Sequence, residues 1–188
     1  MSKKIITLLT ALLISIGSTG LELNQALAAE ESTNAYLLLN VKSDGVLSAR
    51  DLVFKNVDTG AEVWLRDLMN TGRSGPTKFI MKPLSAGKYY LSSIHPTVNA
   101  RNNAPSIEKS VEDGVITILA DTINYIGDFI FRSRERGRGV DSSVDYEPNP
   151  NTLMAAVSAE RDLFERLDVV VSIAGNAPVS VDKKLLGL

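Results

Sequence analysis

Hydrophobic and polar positions alternate most clearly in the stretch 122–132, and this alternation predicts a β-strand. In an extended chain the odd-numbered positions share one face, and most of them here are aromatic or β-branched. These positions are Ile123, Tyr125, Gly127, Phe129 and Phe131. The other face mixes apolar and polar side chains. We therefore predict a central strand whose apolar face packs against Phe79, Tyr89 and Leu91 of an opposing sheet.

The rest of the chain has short apolar runs separated by turn signals, with a single late helical pattern. Two neighbouring strands, at 51–56 and 61–66, are predicted to form a hairpin across the turn at Thr59 and Gly60. Residues 152–167 have the apolar spacing of one α-helix. About eight strands and one late helix indicate a mainly β fold, an antiparallel β-sandwich.

Glu160 interrupts the apolar face of the predicted helix. It falls between Leu153 and Phe164 on that face, where an unpaired carboxylate would be destabilising. One possibility is that the carboxylate pairs with an arginine such as Arg161 or Arg132. The favoured alternative is that the helix packs at the end of the sandwich and Glu160 reaches water, because most glutamates escape full burial.

The N-terminal segment has the features of a secretory signal peptide at residues 1–28. Two lysines precede an apolar run, and small residues precede a predicted cleavage after Ala28. An uncleaved membrane anchor is the alternative, because the segment between the apolar run and the cleavage position is longer than usual. The chain contains no Cys, which excludes disulfides and a lipid-modified N-terminal Cys. We expect a periplasmic or secreted bacterial protein.

The mature chain is predicted to be one domain with nearly balanced charge. Cleavage removes two lysines and one glutamate and leaves 18 of the 20 basic and 21 of the 22 acidic side chains, a formal net charge of −3. This balance provides no global field that would attract nucleic acid or an anionic membrane. We divide the mature chain into a flexible start at 29–34, a β-sandwich domain at 35–175 and a tail at 176–188, with no transmembrane segment.

A motif in the first half of the chain resembles a known family of β-sandwich modules. Its parts are Val53-Phe54-Lys55-Asn56, Thr59-Gly60, Val63 and Phe79-x-Met81-x-x-Leu84-x-x-Gly87-x-Tyr89-x-Leu91. This arrangement resembles the carboxypeptidase-regulatory-like and Cna B-type modules. The resemblance implies a prealbumin-like (transthyretin-like) sandwich, in which the aromatic residue at Tyr89 fills the core. It also implies a rigid accessory or adhesive role without catalysis.

His95 is the only histidine, and a Ser-His-acid triad would have to use it. It lies at a predicted strand end before Pro96, and the chain has no Gly-x-Ser-x-Gly motif. We interpret His95 as a surface or turn residue and predict neither an enzymatic activity nor a cofactor.

An acidic group follows the central strand and could supply oxygen ligands to Ca²⁺. Its members are Asp141, Asp145 and Glu147. The order of ligands and the glycine of an EF-hand are missing, so a solvated acidic loop is the favoured interpretation.

Arginines recur at every second position after the central strand, at Arg132, Arg134, Arg136 and Arg138. On an extended strand their guanidinium groups would line one face, which could bind an envelope protein or an anionic glycan or lipid. The alternative is a charged strand edge that prevents the addition of another strand.

Two functions remain open from the sequence. The first is a non-enzymatic accessory or protein-interaction domain of the bacterial cell envelope. The second is a periplasmic protein that binds a small ligand or carbohydrate, with the helix closing one end of the sandwich and Trp64, Tyr125 or Glu160 in the pocket. Trp64 alternates with Val63 and Leu65, so its ring could be exposed for contact, but in a two-sheet sandwich it can equally pack inward.

Overall fold

Two β-sheets pack face to face, and helices cover the other face of the first sheet. The computed structural model describes residues 35–68, 79–99 and 102–188. These residues belong to one compact unit. The predicted signal peptide and the flexible start at 29–34 lie outside the described residues, so both stay predictions.

The described residues are mainly in β-strands, as the sequence predicts. The strands are β1 (Ala35–Gly45), β2 (Ser48–Asn56), β3 (Glu62–Leu65), β4 (Ile80–Leu84), β5 (Gly87–Asn99), β6 (Asn102–Asn103), β7 (Ile107–Glu108), β8 (Ile116–Ile118), β9 (Thr122–Arg136), β10 (Gly139–Glu147), β11 (Asp168–Val171) and β12 (Val179–Val181). The helices are α1 (Pro150–Ala159) and α2 (Arg161–Arg166), with 3₁₀ turns at Val111–Asp113 and Lys183–Leu186.

The first sheet is mixed rather than antiparallel. Its strand order is β12-β11-β9-β1-β4, and β10 pairs with the second half of β9. Both β1 and β11 run parallel to β9. Parallel neighbouring strands need long crossover connections. The connection from β9 to its parallel neighbour β11 includes α1 and α2, which return the chain from the end of β10 to the start of β11. The prediction of a wholly antiparallel sandwich is therefore wrong for this sheet.

The second sheet is antiparallel throughout the described residues. Its order is β3-β2-β5-β6, and β7 and β8 also pair with β5. The predicted hairpin is confirmed, because β2 and β3 pair with Leu52 opposite Leu65. Tyr89 and Leu91 of β5 are buried in the core between the sheets, as expected.

Gly127 lies in a β-bulge of β9. Tyr125 is opposite Leu38 of β1 and Asp128 is opposite Asn40, so β9 has one residue more than β1 between these two pairs. Gly127 has a φ of +89°, a left-handed conformation that glycine adopts readily. Because side chains alternate with a period of two, the extra residue moves every later side chain of β9 to the opposite face.

The bulge divides the apolar residues of β9 between two cores. Ile123 and Tyr125, before the bulge, pack under the helices, whereas Phe129 and Phe131, after it, pack between the two sheets. Phe79 packs on the helix side as well. The prediction of a single apolar face that meets Phe79 is therefore wrong, because regular alternation does not continue through the bulge.

We expect Gly127→Ala to lower the free energy of unfolding by about 1–3 kcal/mol. An added Cβ would lie 3.1 Å from the carbonyl oxygen of Glu147, so the positive φ and the neighbouring strand both oppose it. Urea denaturation measures the loss. Gly137→Ala is the control, because Gly137 also has a positive φ, +59°, but no atom of the described residues lies within 4 Å of its added Cβ. Equal losses in the two variants would refute the steric contribution of β10.

The predicted helix at 152–167 is two helices with a break at Glu160. Asn149 caps α1 by accepting a hydrogen bond from the N–H of Asn151 at 3.1 Å. Glu160 is exposed, because the break removes it from the apolar face on which a continuous helix would place it.

Both helices lie on a face of the first sheet and not at the end of the sandwich. In the described residues, neither helix has the length and apolarity needed to cross a membrane.

Residues 176–188 are part of the fold rather than a separate tail. β12 pairs antiparallel with β11, with Val169 opposite Val181. The following 3₁₀ turn buries Leu186 in the same core as the helices. The predicted domain end at residue 175 is therefore too early, because the last strand and Leu186 complete the helix-side core.

Candidate functional site

An aromatic and cationic cluster lies on the outer face of the second sheet. It consists of Trp64, Arg66 and His95, and we call it the tryptophan platform. The guanidinium carbon of Arg66 lies 4.7 Å from the centroid of the indole ring, within the range of a cation–π contact. The ring centroids of His95 and Trp64 are 5.1 Å apart. The platform therefore brings an indole ring, a guanidinium group and an imidazole ring together on one face of the sheet.

Strand order explains how residues far apart in sequence meet in the platform. β2 lies between β3 and β5, and its Val53 is opposite Trp64 on one side and Ser93 on the other. Val53 is only 2% exposed although its neighbours Leu52 and Phe54 point into the core. Side chains from β3 and β5 thus meet across β2 and cover Val53.

Two serine hydroxyls hold the ring of His95. Ser93 Oγ lies 3.1 Å from Nε2, and Ser106 Oγ lies 2.9 Å from Nδ1. A neutral imidazole has one donor and one acceptor nitrogen, so one hydroxyl donates to the ring and the other accepts from it. The ring orientation is fixed at both ends. His95 is half-buried within β5, and is not in a turn.

Asp51 is opposite His95 on β2, but its carboxylate is used elsewhere. One oxygen accepts two hydrogen bonds from Arg50, and the other accepts the N–H of Asp67 at 3.0 Å. Burial acts to raise the pKa of Asp51, but the hydrogen bonds from Arg50 and Asp67 outweigh it and lower the pKa. Asp51 therefore fixes Arg50 beside the platform, and the acid does not orient His95 as it would in a triad.

Two arginines of the predicted row form ion pairs with the predicted acidic group across the β9–β10 hairpin. Arg132 pairs with Asp145 and, at 3.1 Å, with Glu147. Arg136 pairs with Asp141 at 2.9 Å. Adjacent antiparallel strands bring these charges together, which their separation in sequence does not show.

Arg138 does not belong to the arginine row. It lies in the two-residue turn between β9 and β10, whereas Arg134 is on β9 and exposed. The prediction that all four guanidinium groups line one face is therefore wrong, because the strand ends at Arg136.

The acidic side chains of the predicted Ca²⁺ group are directed to arginines. Among the described residues, no group of three or more His, Cys, Asp or Glu side chains is arranged to hold a metal ion.

The three residues predicted for a ligand pocket lie in separate places. Trp64 belongs to the platform. Tyr125 lies under α1, where its hydroxyl accepts the N–H of Asn149 at 2.9 Å, and burial raises its pKa to about 12. Glu160 borders an open groove of about 550 Å³ beside the helices, together with Tyr36 and Arg161. The structure therefore does not bring these three side chains into one pocket.

Asp128 is the centre of a buried polar cluster that the sequence reasoning missed. Its side chain accepts hydrogen bonds from Thr152 and Asn149, both at 2.7 Å, and pairs with Lys42 at 2.6 Å. Burial acts to raise the pKa of Asp128, but the hydrogen bonds from Lys42, Asn149 and Thr152 outweigh it, and the pKa is lowered. The cluster attaches the start of α1 to the first sheet just after the bulge. Its signal in the sequence is an aspartate among the apolar residues at the centre of the predicted strand.

The tryptophan platform is the best candidate for a functional site on the described surface. Sequence alternation indicated that Trp64 could be exposed, but its contacts with His95 and Arg66 depend on strand order. A scan against protein-family models, a search of curated proteins and a search of solved structures each found nothing that matches this chain.

Proposed function

We propose that this protein is a non-enzymatic binding module, exported to the bacterial cell envelope, that contacts a protein partner through the tryptophan platform. The observation that carries this proposal is the contact of Trp64 with both Arg66 and His95 on an outer sheet face. Tryptophan and arginine are the residue types most enriched among binding hot spots. The proposed export rests on the signal-peptide pattern at residues 1–28.

Pre-organisation supports this role for the platform. The two serines hold His95, and Asp51 holds Arg50 beside it, so these side chains have little freedom left to lose on binding. The exposed carboxylate of Glu62 accepts the indole N–H of Trp64 at 3.2 Å, which restrains the ring further. A rigid aromatic surface with polar groups around it suits a partner that covers the ring and hydrogen-bonds at the rim.

The family resemblance is consistent with such a role. The hairpin of β2 and β3 and the buried Tyr89 are the structural parts of the motif that resembles carboxypeptidase-regulatory-like and Cna B-type modules. We propose that the fold is a modified prealbumin-like sandwich, with a mixed first sheet and two added helices, that acts as a rigid support for the platform.

Carbohydrate binding is the second candidate, and the same platform would perform it. An indole ring beside polar side chains can pack on the apolar face of a sugar while those side chains bind its hydroxyl groups. Arg50 and Asn103 are already hydrogen-bonded to each other next to Asp51 and offer such groups.

We expect Trp64→Ala to weaken capture of the envelope partner by about 30-fold, the effect of losing a hot-spot residue. The immobilised protein is incubated with a solubilised envelope-protein fraction and, separately, with a purified cell-wall glycan fraction, and the retained material is quantified. Retention of a specific protein that Trp64→Ala loses supports the proposal.

Leu185→Ala is the matched control, because Leu185 is 77% exposed and lies outside the platform. It should retain as much partner as the original protein. Trp64-dependent retention of glycan alone would favour the second candidate. Equal retention by the original protein and a folded Trp64→Ala variant in both fractions would refute the platform as the binding site.

A further inference from the structure

The outer edge of β10 is open along its length in the described structure. β10 pairs only with β9, and no backbone hydrogen bond joins it to another described segment. β1 ends at Gly45, opposite Ser133 of β9, so the rest of the hairpin extends beyond the sheet. Every residue from 134 to 143 is exposed. An open strand edge of this kind can pair with another extended chain.

The register of the hairpin determines which backbone groups point outwards. A two-residue turn links Arg136 to Gly139, so the backbones of these two residues are hydrogen-bonded to each other. From Gly139 onwards, every second residue of β10 is hydrogen-bonded to β9 in the same way. The alternate residues direct their N–H and C=O groups to the open edge. They are Val140, Ser142, Val144 and Tyr146.

The two faces of β10 differ in chemistry. Its odd-numbered residues include Asp141, Asp145 and Glu147, which we call the acid row. Arginines contact the acid row from the β9 side. An incoming strand at the open edge can therefore contact the acid row from its other side. The even-numbered residues are mostly apolar, and Val144 and Tyr146 pack against the core between the sheets.

A cleft of about 260 Å³ lies beside the inner end of this edge. Its walls include Val144, Tyr146 and Leu91, and the ion pair of Lys109 with Asp113, 3.6 Å apart, lies at its charged side. Within the described residues the hydroxyl of Tyr146 has no hydrogen-bond partner, and its ring packs edge-on against Phe129 at 5.6 Å. Burial raises the pKa of Tyr146, so the hydroxyl stays protonated and can donate to a ligand.

We propose that β10 binds an extended peptide segment of a partner protein by strand addition, with alternating basic and apolar side chains. The basic side chains lie along the acid row, and an apolar side chain on the other face enters the cleft beside Val144 and Tyr146. Main-chain hydrogen bonds to the open edge supply affinity, and the acid row and the cleft supply specificity.

Charge favours a basic peptide over a second copy of this chain. Two β10 strands that pair across a two-fold axis would bring one acid row next to the other, and like charges on adjacent strands are destabilising. A strand with lysine or arginine at alternate positions meets opposite charges instead. The acid row therefore selects against self-association while it attracts a basic partner.

Titration of the purified protein with synthetic peptides tests the proposal by calorimetry. The probe is an acetylated, amidated peptide of alternating Lys and Val with the nine-residue length of β10. We expect it to bind, and expect the corresponding Glu/Val peptide to bind at least about tenfold more weakly. A Lys/Val peptide with N-methyl groups along its backbone keeps the charge but cannot pair as a strand, and it should lose binding to the same extent. Equal binding of the methylated and unmethylated peptides would refute strand addition.

Ser142→Pro is the matching protein variant, with Ser142→Ala as its control. Proline removes an N–H that points to the open edge and leaves the pairing of β10 with β9 intact, a position at which strands tolerate it. Ser142→Pro should abolish binding of the Lys/Val peptide, whereas Ser142→Ala should retain it. Trp64→Ala should also retain it, because the platform is a separate site. A dimer in sedimentation that Ser142→Pro disrupts would overturn the proposal in favour of self-association, and absence of Lys/Val binding to the original protein would overturn it outright.

Discussion

Asp128→Asn is expected to lower the free energy of unfolding by about 3 kcal/mol, because it removes the charge from a buried carboxylate whose partners remain. Asp128 has no exposed surface, and Thr152, Asn149 and Lys42 all direct donors at it. An amide of the same shape turns its NH₂ group towards one of these donors and leaves a donor facing a donor. Urea denaturation at neutral pH measures the loss.

Asp141→Asn is the matched control for Asp128→Asn. Asp141 is exposed and pairs with the exposed Arg136, so its substitution should change stability by about 0.5 kcal/mol at most. A loss of similar size in the two variants would mean that burial of the Asp128 cluster contributes nothing.

The effect of Asp128→Asn should also depend on pH. The folded-state pKa of Asp128 is lowered, so the unfolded chain binds the proton more readily. The carboxylate therefore contributes its full stability above the unfolded-state pKa of about 3.9, and the contribution is lost as the pH falls through the folded-state value. The difference in stability between the original protein and Asp128→Asn should shrink as the pH falls below about 4. A difference that is constant from neutral to acid pH would contradict this assignment.

Gly45→Ala is expected to be the most damaging substitution of a glycine, with a loss of about 3 kcal/mol or failure to fold. Gly45 has a φ of +116°, and an added Cβ would overlap the carbonyl oxygen of Ser133. The chain crosses here from the first sheet to the second. Ser133 holds the crossing through a hydrogen bond from Leu47 N–H to its Oγ at 2.8 Å, and from Val46 N–H to its carbonyl at 3.3 Å. Relieving the overlap would break these contacts.

Circular dichroism and urea denaturation of Gly45→Ala test this expectation. Gly175→Ala is the control, because Gly175 has a φ of +76° but no atom in the described part of the chain lies within 4 Å of its added Cβ. The control should lose only the backbone contribution, about 1 kcal/mol. A Gly45→Ala variant as stable as the control would show that the crossing can move away from Ser133.

The two proposed binding surfaces make different demands on a partner. The tryptophan platform offers rigid aromatic and guanidinium groups, whereas the edge of β10 offers backbone hydrogen bonds and a row of carboxylates. Trp64→Ala and Ser142→Pro therefore separate the surfaces, because each is expected to affect one kind of binding alone. Arg132 and Arg136, which looked like members of an anion-binding row from the sequence, instead pair with the acid row.

Local patterns were sufficient to predict several elements of the fold. The hairpin at β2 and β3, the central strand and the burial of Tyr89 and Leu91 all follow from side-chain alternation and turn residues within a few positions of each other. The helical region was also placed correctly, although its break at Glu160 was not predicted. Such features depend on residues that are close together in the sequence, so they can be predicted without the tertiary structure.

Features that depend on register and strand order could not be predicted in the same way. Because of the bulge at Gly127, Phe129 and Tyr125 pack in different cores, although regular alternation of side chains would place them on one face. The parallel pairing of β1 with β9 joins segments that lie far apart in the chain.

The sequence by itself determined that this is a mainly β protein, with a central apolar strand, a late helical region and no chemistry based on cysteine. Only the tertiary structure decided what its charged and aromatic residues contact. Strand order joins Trp64 to His95 across β2, and hairpin register joins Arg132 to Asp145 and Glu147. The physical reason is that alternation is a local property of the backbone, whereas contacts between strands depend on the registers that minimise the free energy of the whole fold.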